Sequence, residues 1–85
     1  MNIYLKYVIV EHYGNEIPLI FSNLLNHNHS VNLIDEVVSA GFCLLVNDKE
    51  CLSVQCWGKS TQLGVESRGD EDAKIIEKEI VRFMN

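Results

Sequence analysis

Gly58-Lys59-Ser60 has the residue types that end a phosphate-binding loop, in which successive backbone N–H groups cradle an anion. The complete motif also needs a glycine five residues before Gly58 and a helix after the serine. Ser53 stands at the first position, and the residues after Ser60 read as a strand. The triplet therefore reads as a turn between strands, with Lys59 exposed and free to contact a partner. Arg68-Gly69-Asp70 spells an integrin-binding triplet, but that chemistry needs an exposed extracellular loop. Here the triplet reads as a strand-to-helix turn that ends on a capping Asp70.

Metal and nucleophile chemistry would have to come from Cys43, Cys51 and Cys56 or from His12, His27 and His29. The cysteines contain no CxxC pair, and the alternation of the strands that carry them puts Cys51 on the opposite face from Cys43 and Cys56. Cys43 and Cys56 come out as diagonal neighbours, too far apart for an unstrained disulfide. They read as small core residues. His27 and His29 share a side only if their segment is extended, and no acidic residue within it completes a ligand set. The histidines read as loop residues. Asp35-Glu36 and Glu71-Asp72 are adjacent pairs whose side chains diverge in regular structure, so neither makes an acid/base pair. No Ser/His/Asp or Cys/His set emerges, and neither an enzyme nor a bound cofactor is expected.

The elements behind these residues follow from periodicity. Residues 2–10 alternate and are rich in β-formers, with Ile3, Leu5, Tyr7 and Ile9 on one face and Tyr4, Lys6, Val8 and Val10 on the other. Tyr13-Gly14-Asn15-Glu16 reads as the turn of a hairpin whose second strand, 17–21, is an edge because Pro18 cannot donate a ladder bond. Residues 22–38 are the least regular. Ser22 is placed to cap a short helix carrying Leu24 and Leu25, and the Asn-rich run from Asn26 to Asn32 favours loop. A second hairpin joins 42–46 to 51–57, pairing Leu45 with Leu52 and Cys43 with Val54, and a third strand covers 61–66. Residues 70–84 form the clearest helix. Asp70 caps it, Glu71 and Asp72 sit at its positive end, and Ala73, Ile76, Ile80 and Phe83 make one apolar stripe.

The expected fold is a single α+β domain over residues 1–85, in the order β-β-(short α or loop)-β-β-β-α. Its sheet is mainly antiparallel, with about five strands and the C-terminal helix on one face. At 47% hydrophobic and 22% charged, 85 residues suffice for one modest core. Twelve acidic against seven basic residues give a net charge of −5. That balance disfavours a direct nucleic-acid binder, which needs a Lys/Arg face. It suits a basic partner, but it reads more simply as plain solubility. The longest apolar runs are too short to span a bilayer, and the N-terminal residues do not read as a secretory signal. With an odd number of cysteines, the chain is expected in a reducing cytoplasm.

Ser39-Ala40-Gly41-Phe42-Cys43, Val54-Gln55-Cys56-Trp57-Gly58-Lys59-Ser60, Ser67-Arg68 and Asp72-Ala73-Lys74-Ile75-Ile76 together resemble a pattern in small uncharacterised bacteriophage and prophage accessory proteins. The resemblance spans about half the chain and carries no family active site. It implies a protein that acts in a bacterial host by binding and blocking a defence complex, as anti-CRISPR proteins do. The partner-binding residues expected on that basis are Glu66, Asp70, Glu71 and Asp72, with Lys59, Trp57 and the neutral stretch Asn26, His27, Asn28 and His29. A self-associating assembly protein is the alternative. It would use the sheet face carrying Phe42, Leu44 and Trp57, or a homodimer through the 17–21 edge that Pro18 opposes.

Overall fold

A computed structural model of the chain describes residues 2–22, 24, 36–48 and 51–84, with the side chains of Asp48, Phe83 and Met84 excepted. Six strands and one helix follow one another in these residues: β1 (Asn2–His12), β2 (Asn15–Phe21), β3 (Glu36–Asp48), β4 (Cys51–Trp57), β5 (Lys59–Ser60), β6 (Val65–Glu66) and α1 (Asp70–Met84). The first four make one antiparallel sheet in the order β2-β1-β3-β4, and β5 and β6 pair in a small sheet of their own. The architecture is α+β, as expected, with four strands in the main sheet rather than five.

β1 is central because both of its faces are apolar at Tyr7, Val8, Ile9 and Val10, all buried. The hairpin to β2 closes on two residues only, with Asn15 opposite His12. Tyr13 at φ 51° and Gly14 at φ 82° give the doubly positive turn that matches strand twist. The strand therefore resumes at Asn15, before the expected 17. β2 is an edge strand, consistent with Pro18.

β3 starts at Glu36 and takes in residues expected to belong to the irregular segment. Its register against β1 shifts between Ile9, opposite Ser39, and Val10, opposite Val37, so Val38 is an extra residue. A bulge of this kind puts two successive side chains on one side. Val38 accordingly joins Tyr7 and Ile9 on the helix side, while Val37 packs with Val8 and Val10 on the other. Without the bulge, alternation would have reversed one end of β3.

β3 and β4 pair with Leu45 opposite Val54 and Cys43 opposite Cys56. The expected pairing was two residues off. A slip of two keeps every side chain on its face, so the facial assignment stood while the neighbours changed.

The core has two layers. On one face α1 lays Ala73 and Ile76 over Tyr7, Ile9, Cys43 and Val54. On the other, Leu63 and Val65 of the β5–β6 hairpin cover Val8, Val10 and Ala40. The expected strand over 61–66 is instead a turn, Thr61 to Gly64, followed by the two residues of β6. Buried Ser60 ties that turn: its Oγ accepts the Leu63 N–H at 3.2 Å and its carbonyl accepts the Gly64 N–H at 2.9 Å. Of the Gly58-Lys59-Ser60 triplet, only Gly58 lies between strands, at φ 85°, and Lys59 and Ser60 form β5.

α1 spans the expected residues, but its start differs in detail. The first helical bond runs from the Ala73 N–H to the Gly69 carbonyl at 3.0 Å, so Gly69 holds the capping position and Asp70 lies in the first turn. Ser22 Oγ accepts the Leu24 N–H at 3.1 Å. The rest of the short helix or loop expected there lies outside the described residues.

Candidate interaction surface

Asp72 is buried at 0% exposure in the first turn of α1 and accepts four hydrogen bonds. It was expected at the surface as a partner contact, and burial takes it out of that role. Its Oδ1 accepts the Ser39 hydroxyl at 2.9 Å and Arg68 Nε–H at 2.8 Å. Its Oδ2 accepts the Tyr7 hydroxyl at 2.5 Å and the Arg68 backbone N–H at 2.9 Å. These four bonds use all the acceptor positions of a carboxylate. Burial alone would raise its pKa, but the bonds from Tyr7, the Arg68 backbone, Ser39 and the Arg68 guanidinium hold it below the ordinary aspartate value.

Tyr7 Oη also lies 2.5 Å from Ser67 Oγ. A phenol has one proton, and Tyr7 gives it to the carboxylate. Ser67 is then the donor to Tyr7 and the acceptor of the Gly69 N–H at 3.0 Å. Burial first, and the charge and hydrogen bond of Asp72 next, push the Tyr7 phenol well above its usual range. Arg68 reaches outward from the same node. Its guanidinium meets Glu16 at 2.9 and 3.2 Å and Glu71 at 3.0 Å, tying β2 to the start of α1. Hydrogen bonding to Glu16 leads the causes that raise the Arg68 pKa. One arginine thus binds three carboxylates, Glu16 from the expected hairpin turn and Glu71 and Asp72 from the expected contact set.

This node is not arranged for catalysis. Asp72 has no acceptor position left for a substrate, and Tyr7 is held in its protonated form. Cys43 and Cys56 are no better placed as nucleophiles: burial pushes Cys43 up to about 11 and Cys56 up to about 12. They are direct cross-strand partners, not diagonal ones, and both are free thiols. Among the described residues no group of three His, Cys, Asp or Glu side chains converges to hold a metal. No helix among them is long and apolar enough to cross a membrane.

The remaining expected contact residues separate into two places. Glu66, Asp70 and Glu71 are exposed, and Lys59 is exposed directly opposite Glu66 in the β5–β6 pair. Trp57 ends β4 at 43% exposure, on the sheet face away from α1. Its ring meets Tyr4, 58% exposed on β1, edge-on at 6.4 Å and stacks on Phe42 at 6.4 Å and 29°. Lys6 Nζ lies 5.9 Å from the centre of the Phe42 ring. The β5–β6 hairpin packs on Val8, Val10 and Ala40 of this face, where Tyr4 and Trp57 are exposed. Asn26, His27, Asn28 and His29 lie outside the described residues.

Sequence reasoning missed Tyr7, Ser39, Ser67 and Arg68 as parts of one cluster. Tyr7 and Ser39 lie 65 and 33 positions from Asp72, so no local spacing relates them. Tyr4 carried a weak signal: it is an aromatic on the strand face opposite the buried Tyr7. Comparison with protein-family models, with curated proteins and with solved structures returns no match for this chain.

Proposed function

We propose that this chain is a protein-binding module, a binder rather than an enzyme, whose contact is anchored on Tyr4 and Trp57. The observation that carries the reading is the exposed, mutually packed aromatic pair on a sheet face that the helix does not cover. Tyrosine and tryptophan are the side chains most often found at the energetic centre of protein interfaces, because each buries a large area with few rotatable bonds. Glu66 and Lys59 of the β5–β6 pair, which packs on the same sheet face, supply a polar rim.

The narrower reading is a phage-type inhibitor of a bacterial defence complex, such as a CRISPR effector, acting in the host cytoplasm. Its support is the motif resemblance in the sequence. The test is phage plating on a restrictive bacterial host that expresses this chain, beside pull-down with the purified defence complex. Wild type is expected to restore plating and to capture the complex, and Trp57→Ala and Tyr4→Ala, with unchanged circular dichroism, to lose both. Binding unaffected by either substitution removes the aromatic anchor. Absence of both protection and binding removes the inhibitor.

A further inference from the structure

The two edges of the main sheet are built differently. β2 presents Pro18, which has no N–H to offer, and Glu16, which is held by Arg68. Charge and proline are the usual means by which proteins keep an edge strand from pairing with another chain. β4, at the other edge, has neither: Cys51-Leu52-Ser53-Val54-Gln55-Cys56-Trp57 is seven residues without a charge or a proline. Its backbone alternates cleanly, with Leu52, Val54 and Cys56 toward α1 and Ser53 and Gln55 exposed.

We infer that the β4 edge pairs antiparallel with β4 of a second copy of this chain, making one continuous eight-stranded sheet. The sequence of β4 suits a two-fold axis at Val54. Val54 then faces its own copy, Leu52 faces Cys56, Ser53 faces Gln55 and Cys51 faces Trp57. On the helix side the pairs are apolar and extend the core cluster across the axis. On the open side, serine faces an amide that can hydrogen-bond to it. Each copy carries −5, so a shared surface without charge adds no close like-charge pairs to the repulsion between copies. β4 is such a surface, and it is self-complementary, as an isologous dimer requires. The homodimer expected from the sequence at residues 17–21 thus moves to the opposite edge, and the aromatic anchor is a separate proposal.

The test is sedimentation equilibrium of the wild-type chain from micromolar to millimolar, beside the double variants Ser53→Lys/Gln55→Lys and Ser53→Glu/Gln55→Glu. Both positions are exposed, and circular dichroism establishes that each variant folds. Wild type is expected at twice the chain mass at the upper concentrations. Each double variant alone sets like charges opposite one another and weakens the dimer by on the order of tenfold or more. Mixing the lysine and glutamate variants restores dimers as a one-to-one complex. A wild-type chain that stays monomeric at millimolar concentration overturns the inference. So does a dimer unmoved by the lysine variant, or a mixture that fails to associate.

Discussion

Tyr7 and Asp72 meet through a 2.5 Å hydrogen bond although they stand 65 positions apart. The phenol rises from the middle of the central strand, and the carboxylate turns back from the first turn of the only helix among the described residues. Each closes the other's polar valence inside the protein. Together they fix where α1 begins relative to the sheet, because Ser39, Ser67 and Arg68 bond to the same two groups.

Removing either partner is therefore expected to destabilise more than an average substitution. Tyr7→Phe leaves a buried charged acceptor with one donor fewer and is expected to cost about 1–3 kcal/mol. Asp72→Ala removes the buried acceptor of the Tyr7 and Ser39 hydroxyls, the Arg68 backbone N–H and Arg68 Nε, with an expected loss of about 3–5 kcal/mol. Urea denaturation followed by circular dichroism measures both. A loss below about 0.5 kcal/mol for Asp72→Ala, the range of ordinary surface sites, contradicts the buried node.

The same carboxylate sets an acid limit. Its folded pKa lies below the ordinary aspartate value of 3.8 because its hydrogen bonds outweigh burial. A group lowered on folding contributes stability that is complete above its unfolded pKa and is lost as pH falls through the folded value. Stability is thus expected to fall as pH drops below about 4, and the fall in Asp72→Asn to be shallower than in wild type. Denaturation midpoints measured in steps from neutral to strongly acid pH check the slope. Equal slopes in the two proteins assign acid sensitivity to other groups.

Gly41 is required by close approach rather than by its backbone angle. A Cβ there would stand 2.4 Å from the Trp57 carbonyl oxygen and 3.2 Å from Ser67 Cβ. Both neighbours are fixed, one as backbone and the other in the Tyr7 node. Gly41→Ala is expected to destabilise by about 2–4 kcal/mol, and thermal unfolding reads it as a lowered midpoint. An unchanged midpoint would mean that β4 can withdraw from β3 at little cost.

Tyr13 is the one residue other than glycine with positive φ among the described residues, at 51°. Asparagine tolerates that region and, before Gly14, makes the preferred sequence for a two-residue hairpin. Tyr13→Asn is expected to raise stability by about 0.5–1 kcal/mol, less whatever the edge contact between the His12 and Tyr13 rings contributes. A destabilised variant would show that the ring contact dominates the turn.

Local patterns carried the elements themselves. Alternation at 2–10 named β1 and assigned its two faces, Gly14 marked the hairpin and Pro18 marked an edge. The 3-4 spacing of Ala73, Ile76 and Ile80 located α1 and its buried stripe. Each of these signals is a property of neighbouring residues and survives without knowledge of the rest of the chain. What required the tertiary structure was every relation between distant segments. An acidic residue in a helix's first turn looks the same whether it meets water or a tyrosine from another strand, so Glu71 and Asp72 were indistinguishable until the helix was docked. The Val38 bulge, the two-residue slip between β3 and β4 and the folding back of 61–66 were equally hidden. Each is a relation between separate segments of the chain, packed on one face of the sheet or the other, and that packing is a property of the assembled core.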